Sequence, residues 1–117
     1  MADATTTVAE LKEAVRRFAA ERAWEPFHSP KNLSMALAAE AAELMEHFLW
    51  VDSEASRGVV HDAVKLAAVA DEVADVAILL LNLSEVLGLD LGDALRTKMA
   101  KNERKYPVEK YRGRFEA

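Results

Sequence analysis

One segment, from about His61 to Leu87, limits the folds open to this chain more than any other. It reads as a single long helix, and Gly88 is a suitable terminating residue. Val69, Val73, Val76, Ile78, Leu79, Leu80, Leu83, Val86 and Leu87 do not form one stripe along it; they spread over more than one side. A helix that is apolar nearly all round must be buried on several faces. A small bundle covers such a helix poorly, so this one is expected to pack against another subunit.

The rest of the chain supplies helical neighbours. Leu11, Val15, Phe18 and Ala19 recur at spacings of three and four, predicting a helix from Val8 to about Arg22 with Thr6 or Thr7 as its cap. Ala23 to Pro30 is an aromatic loop broken twice by proline. Ser29 followed by Pro30 starts a second helix, running to about Phe48. Asp52 to Gly58 reads as a polar, turn-like connection, and Asp90 caps a last helix ending near Lys105. Pro107 and the tail containing Gly113 are expected to leave regular structure. The fold class is therefore all-α, an antiparallel bundle of four main helices, with residues 1–117 forming one domain around a core of about 8–106.

Composition narrows the function. The net charge is −5, so the broad basic face expected of a duplex-binding protein is missing and no nucleic-acid partner is expected. The longest apolar run, Val76–Leu81, is too short to span a bilayer, and no signal peptide is seen at the N-terminus. Without cysteine there are no disulfides, thiolate metal sites or cysteine nucleophiles. A cytoplasmic protein with no membrane partner is the expectation.

Against this background two acidic pairs stand out, Glu40-Ala-Ala-Glu43 and Glu72-Val-Ala-Asp75. On a helix, residues three apart share a face, so each pair presents two carboxylates side by side. A lone pair of this kind is common on solvated helix faces. Here two pairs recur on successive long helices, embedded among Leu37, Leu44, Val73 and Val76. Clustered like charges on an apolar surface call for a compensating cation. Ligation by oxygen alone, with no histidine in either pair, points to magnesium or manganese and away from iron or zinc. Magnesium binds carboxylates together with substrate phosphates, which makes a nucleotide the natural small-molecule partner. Asp71 and Glu46 lie nearby, and Asp71 is favoured as an outer residue of that site.

Two further groups fit around such a site. Trp24 and Phe27 sit in the proline-flanked loop and Trp50 just past the second helix, where flat side chains can stack on a base; core or interface anchoring is the alternative. His28 reads as a hydrogen-bonded loop residue. Lys98, Asn102 and Lys105 lie four and three apart on one face of the last helix, where they can neutralise phosphates or simply complement the helix dipole.

At this point the residues resemble a known family. E-x-x-E, a gap of 28 residues, then E-x-x-D is similar to the MazG-like all-α nucleoside triphosphate pyrophosphatases. Trp24-Glu-Pro-Phe-His-Ser-Pro-Lys-Asn-Leu33 resembles the aromatic loop of the dCTP pyrophosphatase branch. So do Glu40 to Trp50 and Lys98 to Pro107, and the likeness covers roughly residues 8–108. It implies magnesium-dependent hydrolysis of a (deoxy)nucleoside triphosphate, dCTP or a modified dCTP, to monophosphate and pyrophosphate, as nucleotide-pool house-cleaning. It also implies Glu40, Glu43, Glu72 and Asp75 as metal ligands and Trp24, Trp50 and His28 at the base. Lys98 and Asn102, with Lys105 or Arg104, would reach the phosphates. Homodimers or homotetramers whose sites draw on more than one subunit are implied as well. Two positions depart: Val15 stands where dCTP-specific relatives carry histidine, and Leu79 where they carry tyrosine.

The expected mechanism is metal-assisted phosphoanhydride hydrolysis, with Glu43 beside Glu40 orienting or deprotonating the attacking water and Lys98 and Lys105 stabilising the departing pyrophosphate. The alternative is a bundle that binds nucleotide without catalysis, or one that is purely structural.

Overall fold

The structure, a computed structural model, describes residues 1–114. It is all-helical, with no strand among the described residues. Among the described residues six α-helices follow in order: α1 (Val8–Glu21), α2 (Pro30–Glu46), α3 (Ser53–Arg57), α4 (Ala63–Val86), α5 (Leu91–Lys105) and α6 (Val108–Tyr111). Short 3₁₀ turns occupy Asp3–Thr5, Glu25–Phe27 and Gly58–His61.

Local chemistry sets the helix boundaries. Thr7 Oγ1 accepts from the Glu10 N–H at 3.1 Å, and Ser29 Oγ accepts from the Asn32 N–H at 3.1 Å with Pro30 as the first residue of α2. Asp62 and Asp90 cap α4 and α5 through the N–H groups of Lys65 and Asp93, at 3.0 and 2.8 Å. Gly88, at φ 64°, closes α4: its N–H donates to Glu85 O and that of Leu89 reaches back to Ser84 O. This is a glycine-terminated helix end in which the left-handed residue carries no Cβ penalty.

Two connections differ from expectation. Asp52 to Gly58 is not a turn but α3, because Asp52 Oδ1 accepts from the Ala55 N–H at 2.8 Å and nucleates one capped turn of helix. After Pro107 the chain forms α6, since proline is compatible with a helix start and breaks only the interior. The end of the tail, residues 115–117, lies outside the described residues.

α4 is the axis of the fold. It packs along α2 and, more narrowly, against α1. Phe48 lies near Lys65, Glu43 near Glu72, and Ala36 shares a cavity with Ile78, so α2 and α4 run antiparallel. Lys12 Nζ donates to Leu89 O and ties α1 to the far end of α4. α5, by contrast, shares no broad packing surface with the other helices among the described residues.

The radius of gyration is 17.1 Å, against roughly 13.4 Å for a compact domain of this length. The buried apolar residues are Ala19, Leu33, Val59 and Leu81 alone among those described, while Val73, Ile78, Leu80 and Val86 of α4, and Leu87 at its end, remain exposed. The long helix therefore has faces that this chain does not cover. No helix among the described residues is long and apolar enough to cross a membrane.

Candidate metal and nucleotide site

The predicted acidic pairs meet. Antiparallel packing of α2 on α4 brings carboxylate oxygens of Glu40, Glu43 and Glu72 within 4.8 Å of one another. Asp75 stands outside that tight trio but faces the same cavity as Glu40, and its charge reaches Glu40. The ion pairs among the described residues are all elsewhere, joining Glu13 with Arg16 and Arg17, Glu21 with Arg22, and Glu54 with Arg57.

Two oxygens, Glu40 Oε2 and Glu72 Oε2, are buried without a hydrogen-bond partner. Burying a charged oxygen with nothing to meet it is costly, and a second carboxylate beside it makes ionisation harder still. Glu40 registers the conflict. Its hydrogen bond with Glu43 comes first, followed by burial, the Glu43 charge, Glu72 and Asp75, and together they push its pKa up to about 7. The donor set is oxygen only, arranged around two orphaned oxygens, and it fits a hard divalent cation.

A cavity of about 520 Å³ opens beside the acids. Glu40 and Asp75 form its acidic end; Ala14, Val15, Phe18, Ile78 and Leu79 make its apolar walls, with Trp24, His28 and Asn82 also lining it. The aromatic loop is held at this mouth by backbone chemistry. At the end of α1 the Ala23 N–H donates to Ala20 O and the Trp24 N–H to Ala19 O, with Ala23 in the left-handed region at φ 52°. This is the same helix ending that Gly88 makes, here built with a Cβ. It turns Trp24 back so that its ring meets Phe18 edge-on, with centroids 5.7 Å apart. Asn32 Nδ2 then donates to Phe27 O at 3.1 Å, and Leu33 behind it is only 2 % exposed. Half of the aromatic-loop motif thus builds the scaffold that positions Trp24 and His28.

Other expected site residues are not brought here by this chain. Trp50 lies beyond α2, 94 % exposed and outside the cavity lining. Lys98, Asn102 and Lys105 lie on α5, which stands apart from α1, α2 and α4. Asn82 was not singled out from sequence. Its signal was present, as a polar residue seven positions after Asp75 and so on the same face of α4, inside the most apolar run of the chain.

The architecture has close counterparts. A crystal structure of a pyrophosphatase from Archaeoglobus fulgidus superposes with a TM-score of 0.78 at 40% sequence identity, covering 85% of this chain and 91% of that one. The dCTP pyrophosphatase 1 of Bos taurus is 38% identical over 107 residues, and that of Homo sapiens 37% over 102. These alignments take in 92% and 87% of this chain, which spans 63% and 60% of the length of those two relatives. The sequence profile of the MazG-like family matches residues 35–116, a stretch that holds both acidic pairs and all of α4 and α5. With the helical pattern, the meeting of the pairs and the profile in agreement, the chain belongs to the MazG-like family.

Proposed function

We propose that the protein is a magnesium-dependent nucleoside triphosphate pyrophosphohydrolase. On this reading it converts dCTP or a modified dCTP to the monophosphate and pyrophosphate, in the cytoplasm, as nucleotide-pool house-cleaning. The observation that carries the reading is the pair of orphaned oxygens on Glu40 and Glu72 beside Glu43, at the mouth of a cavity with an aromatic wall. Similarity to dCTP pyrophosphatases and to a solved pyrophosphatase supports the reaction class.

Glu40, Glu43, Glu72 and Asp75 would hold the cation. When bound, it neutralises charge on the triphosphate oxygens, and magnesium is the first choice with manganese an acceptable substitute. Glu43 is the exposed member of the trio, able to face both the cation and solvent. It takes a proton from the attacking water as the water oxygen bonds to the α-phosphorus and the α–β phosphoanhydride bond breaks. Glu40 lies against Glu43 and Glu72 and would complete the set of carboxylates that holds the cation. Trp24 stacks on the base, and His28 lies beside it.

The phosphate half of the site is completed by a second copy of the chain, in a homodimer or homotetramer. That copy presents Lys98, Asn102 and Lys105 to the departing pyrophosphate and brings Trp50 over the base. The uncovered faces of α4, and Leu95 and Met99 at 56 and 63 % exposure on α5, support this assembly. Incubation with single dNTPs and magnesium, with detection of pyrophosphate, tests the reading. Pyrophosphate from dCTP that disappears with chelator is expected, and its absence with every nucleotide would overturn the assignment.

A further inference from the structure

We infer that Asn82 reads the hydrogen-bonding edge of the base. The inference rests on the nucleotide reading of the cavity and deepens it. Asn82 is only 9 % exposed, yet it lies on the cavity wall, and among the described residues its amide makes no hydrogen bond. Its neighbour Ser84, also buried, settles its own polar group within the helix, Oγ donating to Leu80 O at 2.8 Å. Asn82 has no such outlet. Its amide atoms are not among the buried, partnerless ones; they open onto the cavity, where a ligand can meet them.

The position suits a base reader. Asn82 follows Asp75 by seven residues, two turns along the same face of α4 and about 10.5 Å along its axis. Asp75, Trp24 and Asn82 line one cavity, and the two turns of α4 between Asp75 and Asn82 separate a phosphate-binding acid from the amide. Val15 and Leu79 line the same cavity with apolar side chains. Away from the acids, Asn82 and His28 are therefore left with the indole N–H of Trp24 as the polar groups of that wall. His28 belongs to the aromatic loop and is half-buried, whereas Asn82 is set into the helix that anchors the fold. A carboxamide offers one acceptor and one donor in a plane. Its oxygen accepts from the cytosine 4-amino group while its NH₂ donates to the ring N3, a two-bond match to the base edge.

The test compares dCTP with the analogue triphosphate whose base is 2-pyrimidinone, which lacks only the 4-amino group. The wild type is expected to favour dCTP in kcat/KM by roughly tenfold or more. In Asn82→Leu, and in Asn82→Ala as a second variant should leucine disturb packing, that ratio collapses toward one. An unchanged ratio, or an equal loss on both substrates, would overturn the inference, because a merely structural amide moves both alike. Should the wild type hydrolyse neither compound, the dCTP reading fails, and the same ratio is then taken from calorimetric binding of the two monophosphates. A preference for dCMP that Asn82→Leu abolishes sustains the role of Asn82 there; no preference, or no binding, removes it.

Discussion

α4 and α5 follow one another in the chain and treat their side chains in opposite ways. α4 lies against α1 and α2, setting Glu72 beside Glu40 and Glu43 and Asp75 on the wall of a cavity inside the chain. α5 carries its functional candidates, Lys98, Asn102 and Lys105, on a helix with no broad packing surface among the described residues, and leaves Leu95 and Met99 in solvent. The metal half of the proposed site is therefore a property of one chain. The phosphate half depends on what covers α5.

The sharpest way to break that contrast is to remove the metal half. Glu43→Gln or Asp75→Asn is expected to lower pyrophosphate release by about 10²–10⁴-fold while the helical circular dichroism stays as it was. Magnesium-dependent turnover surviving in both variants would refute the assignment of the acids. Lys98→Ala probes the other half and should cost roughly 10²-fold. If the two halves come from different copies, mixing inactive Glu43→Gln with inactive Lys98→Ala restores part of the activity, since some mixed sites inherit two intact halves. A mixture as inactive as its parts, with subunit exchange verified by mass spectrometry, would place the whole site in one chain.

A smaller effect sharpens the electrostatics. Glu40 holds its proton to about 7, against an ordinary value of 4.5, so between those pH values the folded chain binds more protons than the unfolded one. Stability of the metal-free protein should therefore fall as pH rises from about 4.5 to 7 and level off above. Magnesium competes with that proton, so its stabilising effect should be larger at pH 8 than at pH 5. Thermal melts with and without magnesium at both pH values check the sign. The smallest effect is expected at the end of α1. Ala23→Gly relieves a left-handed alanine and should stabilise the fold by up to about 1 kcal/mol, seen as a small rise in melting temperature.

Much of this was readable from sequence because it is local. Thr7, Ser29-Pro30, Gly88 and Asp90 are caps whose chemistry acts within a turn, and the structure uses each of them. The meeting of Glu40 and Glu43 with Glu72 was legible too, since two long neighbouring helices with short connections leave few ways to pack. α3 and α6 were missed because a single turn of helix has too few residues to show a period. The separation of α5 was hidden for a different reason. An amphipathic pattern says which face wants cover and says nothing about which surface provides it. Asn82 escaped notice because one amide in a run of leucines looks like an interruption of the core until the cavity beside it is seen.

The crowded carboxylates have a consequence across generations. Replacing Glu72 with glutamine removes a charge from a buried, unpartnered oxygen and relieves its neighbours, so the change should yield a sturdier fold as it destroys the cation site. A descendant copy freed from the need to hydrolyse nucleotides would gain from such changes. Retention of all four acids in a lineage is then a signature of a working enzyme, and their loss, with the helices intact, marks a duplicate that has taken up other work.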